Sequence, residues 1–195
     1  MNAEERAPWE ANIVWTGVVA VLAVAGIVTV AATRLMLAFD SGGVAWEVPL
    51  SRDTGSPPLG APVQVTQGIV TVPDAGGGLS ALIIGTVAVA SVAGIAAIGC
   101  YFVLAVEISR GRTFSVRSIR LLTAMATIVL LGTTTCYLLD SAIGRSLRTA
   151  ADLGETGSST PLSYWMGFAI FAGLTLIAYA FRRGSALQKE TEGLV

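Results

Sequence analysis

Polar and apolar positions along this chain fall into long blocks rather than a fine periodic pattern. Four apolar blocks, at residues 13–32, 79–106, 121–139 and 162–181, are separated by polar or mixed segments. A bilayer core of about 30 Å takes about 20 helical residues to cross, and each block reaches or nearly reaches that length. The pattern therefore predicts an all-α integral membrane protein with four transmembrane helices, at about 13–38, 79–106, 117–145 and 162–181. Four spans leave little chain for anything else, so residues 1–195 are expected to form a single four-helix membrane domain.

The segment at 41–78 follows a different period. In "VAWEVPL", Val44, Trp46, Val48 and Leu50 alternate with other residues, the pattern of a half-buried strand. "VQVTQGIVTV" reads as two further β-rich halves around a turn at Gln67 and Gly68. A small β-rich cap of about three strands is expected here, punctuated by Pro57, Pro58, Pro62 and Pro73. Beyond the third block, "SAIGRSLRTAADLG" keeps helical character. Ile143, Leu147, Ala150 and Ala151 lie along one side, with Gly154 as a C′ residue and Thr160 with Pro161 opening the fourth helix.

Charge adds orientation. Hydrophobic residues make up 53% of the chain and charged residues 13%, about half the charged share of an ordinary soluble domain. A third of the basic residues sit in one connector, 108–116, and the start of the helix after it: Arg110, Arg112, Arg117 and Arg120. With both termini inside, the inner segments carry these four together with Arg6, Arg182, Arg183 and Lys189, while the outer segments carry Arg34, Arg52, Arg145 and Arg148. Eight basic residues against four place both termini in the cytoplasm by the positive-inside rule. The leader "MNAEERAPWE" is acidic where a signal peptide is basic, so the first block is expected to remain as a helix.

On this reading Arg110, Arg112, Arg117, Arg120, Arg182 and Arg183 anchor the inner face to lipid headgroups or form a partner surface. A net charge of −1 and a single aromatic, Phe114, among the arginines argue against direct nucleic-acid binding. The same stretch opens a helix: Ser115 is an N-cap, Phe114 can staple onto Ile119, and Gly111 makes the turn. The tail at 182–195 has a Gly-Ser break after its arginines and ends in Leu194 and Val195, which could enter a partner's groove.

Candidate chemistry is sparse. The chain has no histidine, the commonest general base and metal ligand, and no nucleotide-binding glycine loop or nucleophile elbow. Cys100 and Cys136 fall at opposite depths of antiparallel spans and are expected to be packing residues rather than a disulfide. Thr86, Ala90, Ala93, Ala97 and Cys100 recur at spacings that put them on one face of the second helix, a seam for another helix of the bundle or for a second copy of the chain. Glu107 is expected to pair with an arginine of the connector, and Arg34 and Asp140, at similar depth, could form an ion pair near the outer face. No enzyme activity, cofactor or metal is expected.

Two segments, "GRTFSVRSIRLL" and "FRRGSALQKETEGLV", resemble the small four-span bacterial membrane proteins of the domain of unknown function 2975 family. The resemblance is carried by Gly111, Phe114, Ser115 and Arg120; Ser118 stands where the family's pattern has Asn. It implies an integral protein of the bacterial cytoplasmic membrane with no established enzyme activity. It also implies a protein partner, either a small helix-turn-helix regulator or another membrane protein. Together the readings give a non-enzymatic sensor, regulator or scaffold, with a small transporter subunit as the alternative.

Overall fold

A computed structural model describes residues 3–39, 44–54, 63–72, 76–111, 113–150 and 161–192. The order of elements is α1 (Ala3–Phe39), β1 (Val44–Thr54), β2 (Val63–Val72), α2 (Gly77–Ser109), α3 (Val116–Ala150) and α4 (Leu162–Glu192). Each helix contains a stretch long and apolar enough to cross a bilayer: Ile13–Phe39, Gly77–Ser109, Val116–Thr149 and Leu162–Leu187. The chain thus has the architecture of a multi-pass membrane protein. Exposed leucines, isoleucines and valines, such as Leu22, Val92, Leu131 and Leu176, point outward where lipid would lie.

A helix in lipid must satisfy its polar groups internally. Several hydroxyls within the spans do so against their own helices. Thr29 donates to the Ala25 carbonyl, Thr86 to Leu82, Ser91 to Val87, Thr127 to Thr123 and Thr175 to Phe171, all at 2.8–2.9 Å.

The helices run up and down. α1 packs on α2, α2 on α3, and α3 on α4. Two apolar clusters hold the ends. At the hairpin end, Ala38 of α1, Val44 and Trp46 of β1, Ile83 and Val87 of α2, and Ile143 and Leu147 of α3 form one core. At the connector end, Leu104, Leu122, Met125 and Ala178 form the second, with Cys100, Leu174 and Phe181 against it. Ile143 and Leu147 are fully buried, so the extension of α3 beyond its apolar block is fixed by the hairpin. Ala151, Gly154 and Thr160 lie outside the described residues; α4 starts just after Pro161, whose carbonyl accepts the Tyr164 N–H at 3.1 Å.

Among the described residues the β segment is a two-stranded antiparallel sheet rather than a three-stranded cap. Gln67 and Gly68 do not turn: they pair with Pro49 and Val48 inside a continuous β2. A two-residue hairpin turn of the favoured type needs left-handed backbone at both positions, which Gln does not favour, and splitting β2 would leave two very short strands. The unbroken strand instead pairs along all of β1. Between Pro49 and Arg52 the register shifts by one residue, a bulge beside a proline that has no N–H to give.

The connector between α2 and α3 is tight. α2 ends at Arg110, whose N–H reaches the Val106 carbonyl, and Gly111 follows at φ 75°, a left-handed residue closing the helix. Ser115 then caps α3: its Oγ accepts the Ser118 N–H at 3.1 Å and its carbonyl accepts the Ile119 N–H at 3.2 Å. Phe114 packs on Phe181 of α4, ring centroids 5.5 Å apart.

The tail also differs from expectation. Gly184 and Ser185 do not break α4, which continues to Glu192. Ser185 donates back to the Arg182 carbonyl at 2.8 Å, and Gly184 is where the Phe114 ring abuts the helix, so the glycine serves close packing rather than a hinge. Leu194 and Val195 lie outside the described residues.

Candidate functional site: a polar-rimmed cleft among the helices

Small side chains on α2 and α3 set the shape of the bundle's middle. A Cβ added to Gly132 would lie 2.8 Å from the Cβ of Ala93, so α2 and α3 approach as closely there as backbones allow. Gly94 meets Ile27 of α1 and Gly167 of α4 meets Thr133 in the same way. α1 and α4 each pack on one neighbour but not appreciably on each other. Between them a cleft of about 830 Å³ remains, lined by all four helices and by β1.

The cleft follows the small-residue face of α2. Thr86, Ala90, Ala93 and Ala97 line it, which at about 1.5 Å per residue is a depth of about 16 Å. Cys100 lies beyond it, against the connector-end core. The stripe therefore has two uses: Ala93 supports the helix–helix contact, and the same row of small side chains leaves the space. The lower walls are apolar, with Ala23, Ile27 and Val129. Below them Leu104, Leu122 and Met125 form the buried connector-end core.

The rim at the hairpin end carries the polar groups: Arg34 of α1, Glu47 of β1, Asp140 of α3, and Ser163 and Tyr164 of α4. Tyr164 donates its hydroxyl hydrogen to Asp140 Oδ2. The second oxygen, Oδ1, is buried with no hydrogen-bond partner among the described residues. The Tyr164 ring is held edge-on to Tyr137, 5.3 Å between centroids. Arg34 lies over the buried Trp46 ring, 5.9 Å from its centroid, a cation–π contact. Arg34 and Asp140 share the cleft, yet no ion pair joins them at contact distance among the described residues. Cys136 faces the same space and its thiol points to the Thr86 carbonyl at 3.9 Å; both cysteines are free thiols.

At the connector end, Glu107 is 3% exposed and pairs with Arg117 at 2.9 Å. One connector arginine thus neutralises a buried carboxylate rather than facing outward alone. Arg110, Arg120, Arg182 and Arg183 are exposed, and Arg183 stacks on Tyr179 while donating to its hydroxyl at 3.2 Å. Arg112 lies outside the described residues.

Tyr164, Trp46 and Glu47 were not expected at a site. Tyr164 reads from sequence as an interfacial aromatic, and Trp46 as a strand's buried face. The available signal was topological: α3 and α4 are antiparallel neighbours, so the end of one and the start of the other share a depth, and Asp140 needed a donor there. Among the described residues no three His, Cys, Asp or Glu side chains gather as metal ligands. Compared with protein-family models, curated proteins and solved structures, the chain matches none.

Proposed function

We propose that this protein is a non-enzymatic membrane sensor or regulator that binds a ligand in the cleft and acts through a protein partner on the opposite face. The observation that carries the reading is the shape of the cleft. It is polar at its mouth, apolar in its depth, and backed by the packed core of Leu104, Leu122, Met125 and Ala178 instead of continuing through the bundle. A binding site with a closed floor suits recognition; a permeation path needs groups to carry a solute through the far half.

In this reading the termini and connector face the cytoplasm, which the arginine distribution supports, and the exposed Arg110, Arg120, Arg182 and Arg183 offer an electropositive surface. The likeness of the connector and tail to the domain of unknown function 2975 family supports a regulatory partner such as a small helix-turn-helix protein. Leu194 and Val195 are the recognition element proposed for it.

Purified protein in liposomes provides the test. No solute-dependent flux is expected; robust flux would overturn the sensor reading in favour of a transporter subunit. Removing residues 187–195 is expected to leave membrane insertion intact and to lose the co-purifying partner. Retention at full yield would move the docking surface away from the tail.

A further inference from the structure

We infer that the cleft takes a lipid-like amphiphile with a zwitterionic aminophosphate headgroup, its primary ammonium on Asp140 and its phosphate on Arg34. The inference rests on the reading of the cleft as the ligand site and adds the chemistry of what enters it.

Three observations lead there. The first is access: α1 and α4 both line the cleft without packing on each other, so it opens sideways between two lipid-facing helices. A molecule already in the bilayer can enter without crossing water. The second is the gradient of polarity. Ala23, Ile27, Ala93 and Val129 make a mainly apolar depth, interrupted by Ser91 and Thr133, under a rim of charged and hydroxyl groups, and the whole cleft runs about 16 Å, about half of a 30 Å hydrocarbon core. Only an amphiphile matches both ends.

The third is the rim's charge arrangement. Arg34 and the Asp140 carboxyl share one cavity and make no contact at ion-pair distance with each other. Asp140 Oδ2 is served by Tyr164, while Oδ1 is buried with no hydrogen-bond partner among the described residues, so the carboxylate must turn toward the cleft for a ligand donor to reach it. Arg34 lies above the Trp46 ring at 5.9 Å, a contact that spends none of its N–H donors on a hydrogen-bond acceptor. A headgroup with an N–H-bearing cation beside a phosphate complements both charges at once. A quaternary ammonium carries the same charges but no N–H, and a simple phosphate lacks the cation altogether. Glu47, exposed on the same rim, reinforces the preference for a cationic group.

The experiment compares lysophosphatidylethanolamine, lysophosphatidylcholine and lysophosphatidic acid of one chain length, with free phosphoethanolamine as the chainless control. Affinities are measured on the detergent-purified full chain by native mass spectrometry or calorimetry. The ethanolamine lipid is expected to bind about tenfold tighter than the choline lipid, because only the former donates to a charged acceptor. Phosphoethanolamine without a chain is expected not to bind measurably. Asp140→Asn should abolish the ethanolamine preference, and Arg34→Gln should weaken both zwitterionic lipids alike while leaving their ratio unchanged. Equal affinity for the ethanolamine and choline lipids in the wild-type protein would overturn the inference, whatever becomes of the variants. So would tight binding of the chainless headgroup. Liposome flux, if found, would remove the sensor reading and leave the binding preference standing, so the two failures are separable.

Discussion

Tyr164, in the first turn of α4, donates its hydroxyl hydrogen to Asp140, near the hairpin end of α3. The bond joins two helices at the depth where one chain direction reverses into the next, and it gives a carboxylate within an apolar bundle its only described side-chain donor. Tyr164→Phe keeps the ring and its edge contact with Tyr137 but leaves both Asp140 oxygens unserved. The expected loss is about 1–3 kcal/mol of stability, read as a lower unfolding temperature in detergent. In an Asp140→Ala background the same change should be nearly neutral. Additive losses in that cycle would show that the bond contributes nothing.

Glu107 and Arg117 form the corresponding tie at the connector end. Glu107 is 3% exposed, whereas the Arg117 side chain is 67% exposed, so water screens one partner of the pair. Arg117→Gln strands a buried carboxylate, and the expected destabilisation of about 1–2 kcal/mol lies between that of a surface pair and a fully buried one. Glu107→Gln should cost less, since it removes the charge that needed a partner. Thermal unfolding of the two single variants and the double variant decides it: the double should be no worse than Arg117→Gln alone.

How much of this was legible in the sequence varies with the range of the interaction involved. The four spans, the Gly111 turn and the Ser115 cap all depend on residues within a turn or two of each other, and apolar length alone nearly dictates a helix in lipid. The strand at Val44 and Trp46 was visible as alternation. Gln67 and Gly68 misled because a plausible turn pair inside a β-rich run competes with uninterrupted pairing, and the length of β1 decided the outcome. Gly184 misled for a related reason: a glycine reads as a break, but its neighbour in space is Phe114, seventy positions earlier. The cleft was not legible at all. It exists because α1 and α4 do not close on each other, and nothing local in either helix encodes that.

The proposal that both termini face the cytoplasm rests on the distribution of charge, and labelling checks it. In a cysteine-free background, Thr113→Cys in the connector is expected to resist an impermeant maleimide in intact cells, while Ser56→Cys in the long loop reacts. Thr113 is the better inner probe than Ser115, whose Oγ caps α3 and would be lost. Labelling of Thr113→Cys with protection of Ser56→Cys would invert the topology and put the cleft's mouth on the cytoplasmic side.

Gly184 offers the sharpest test of how the tail is held. A Cβ at this position would lie 2.6 Å from Phe114 Cε1 and 2.9 Å from Cδ1, closer than real contacts allow, so Gly184→Ala must displace the ring that also packs on Phe181. Two effects then oppose each other. Alanine favours a helix over glycine by about 1 kcal/mol, and overpacking costs about 1–3 kcal/mol. The ring contact should win, giving a net loss of about 1 kcal/mol or a little more. In a Phe114→Ala background the ring is gone and only the helix preference remains, so the same substitution should become stabilising by about 1 kcal/mol. Unfolding temperatures of the four proteins in one detergent give the sign directly. A reversal of sign between the two backgrounds would establish that α4 is fastened to the connector through this contact, which holds Arg182 and Arg183 near the start of α3. The same sign in both would mean that the tail helix stands without it.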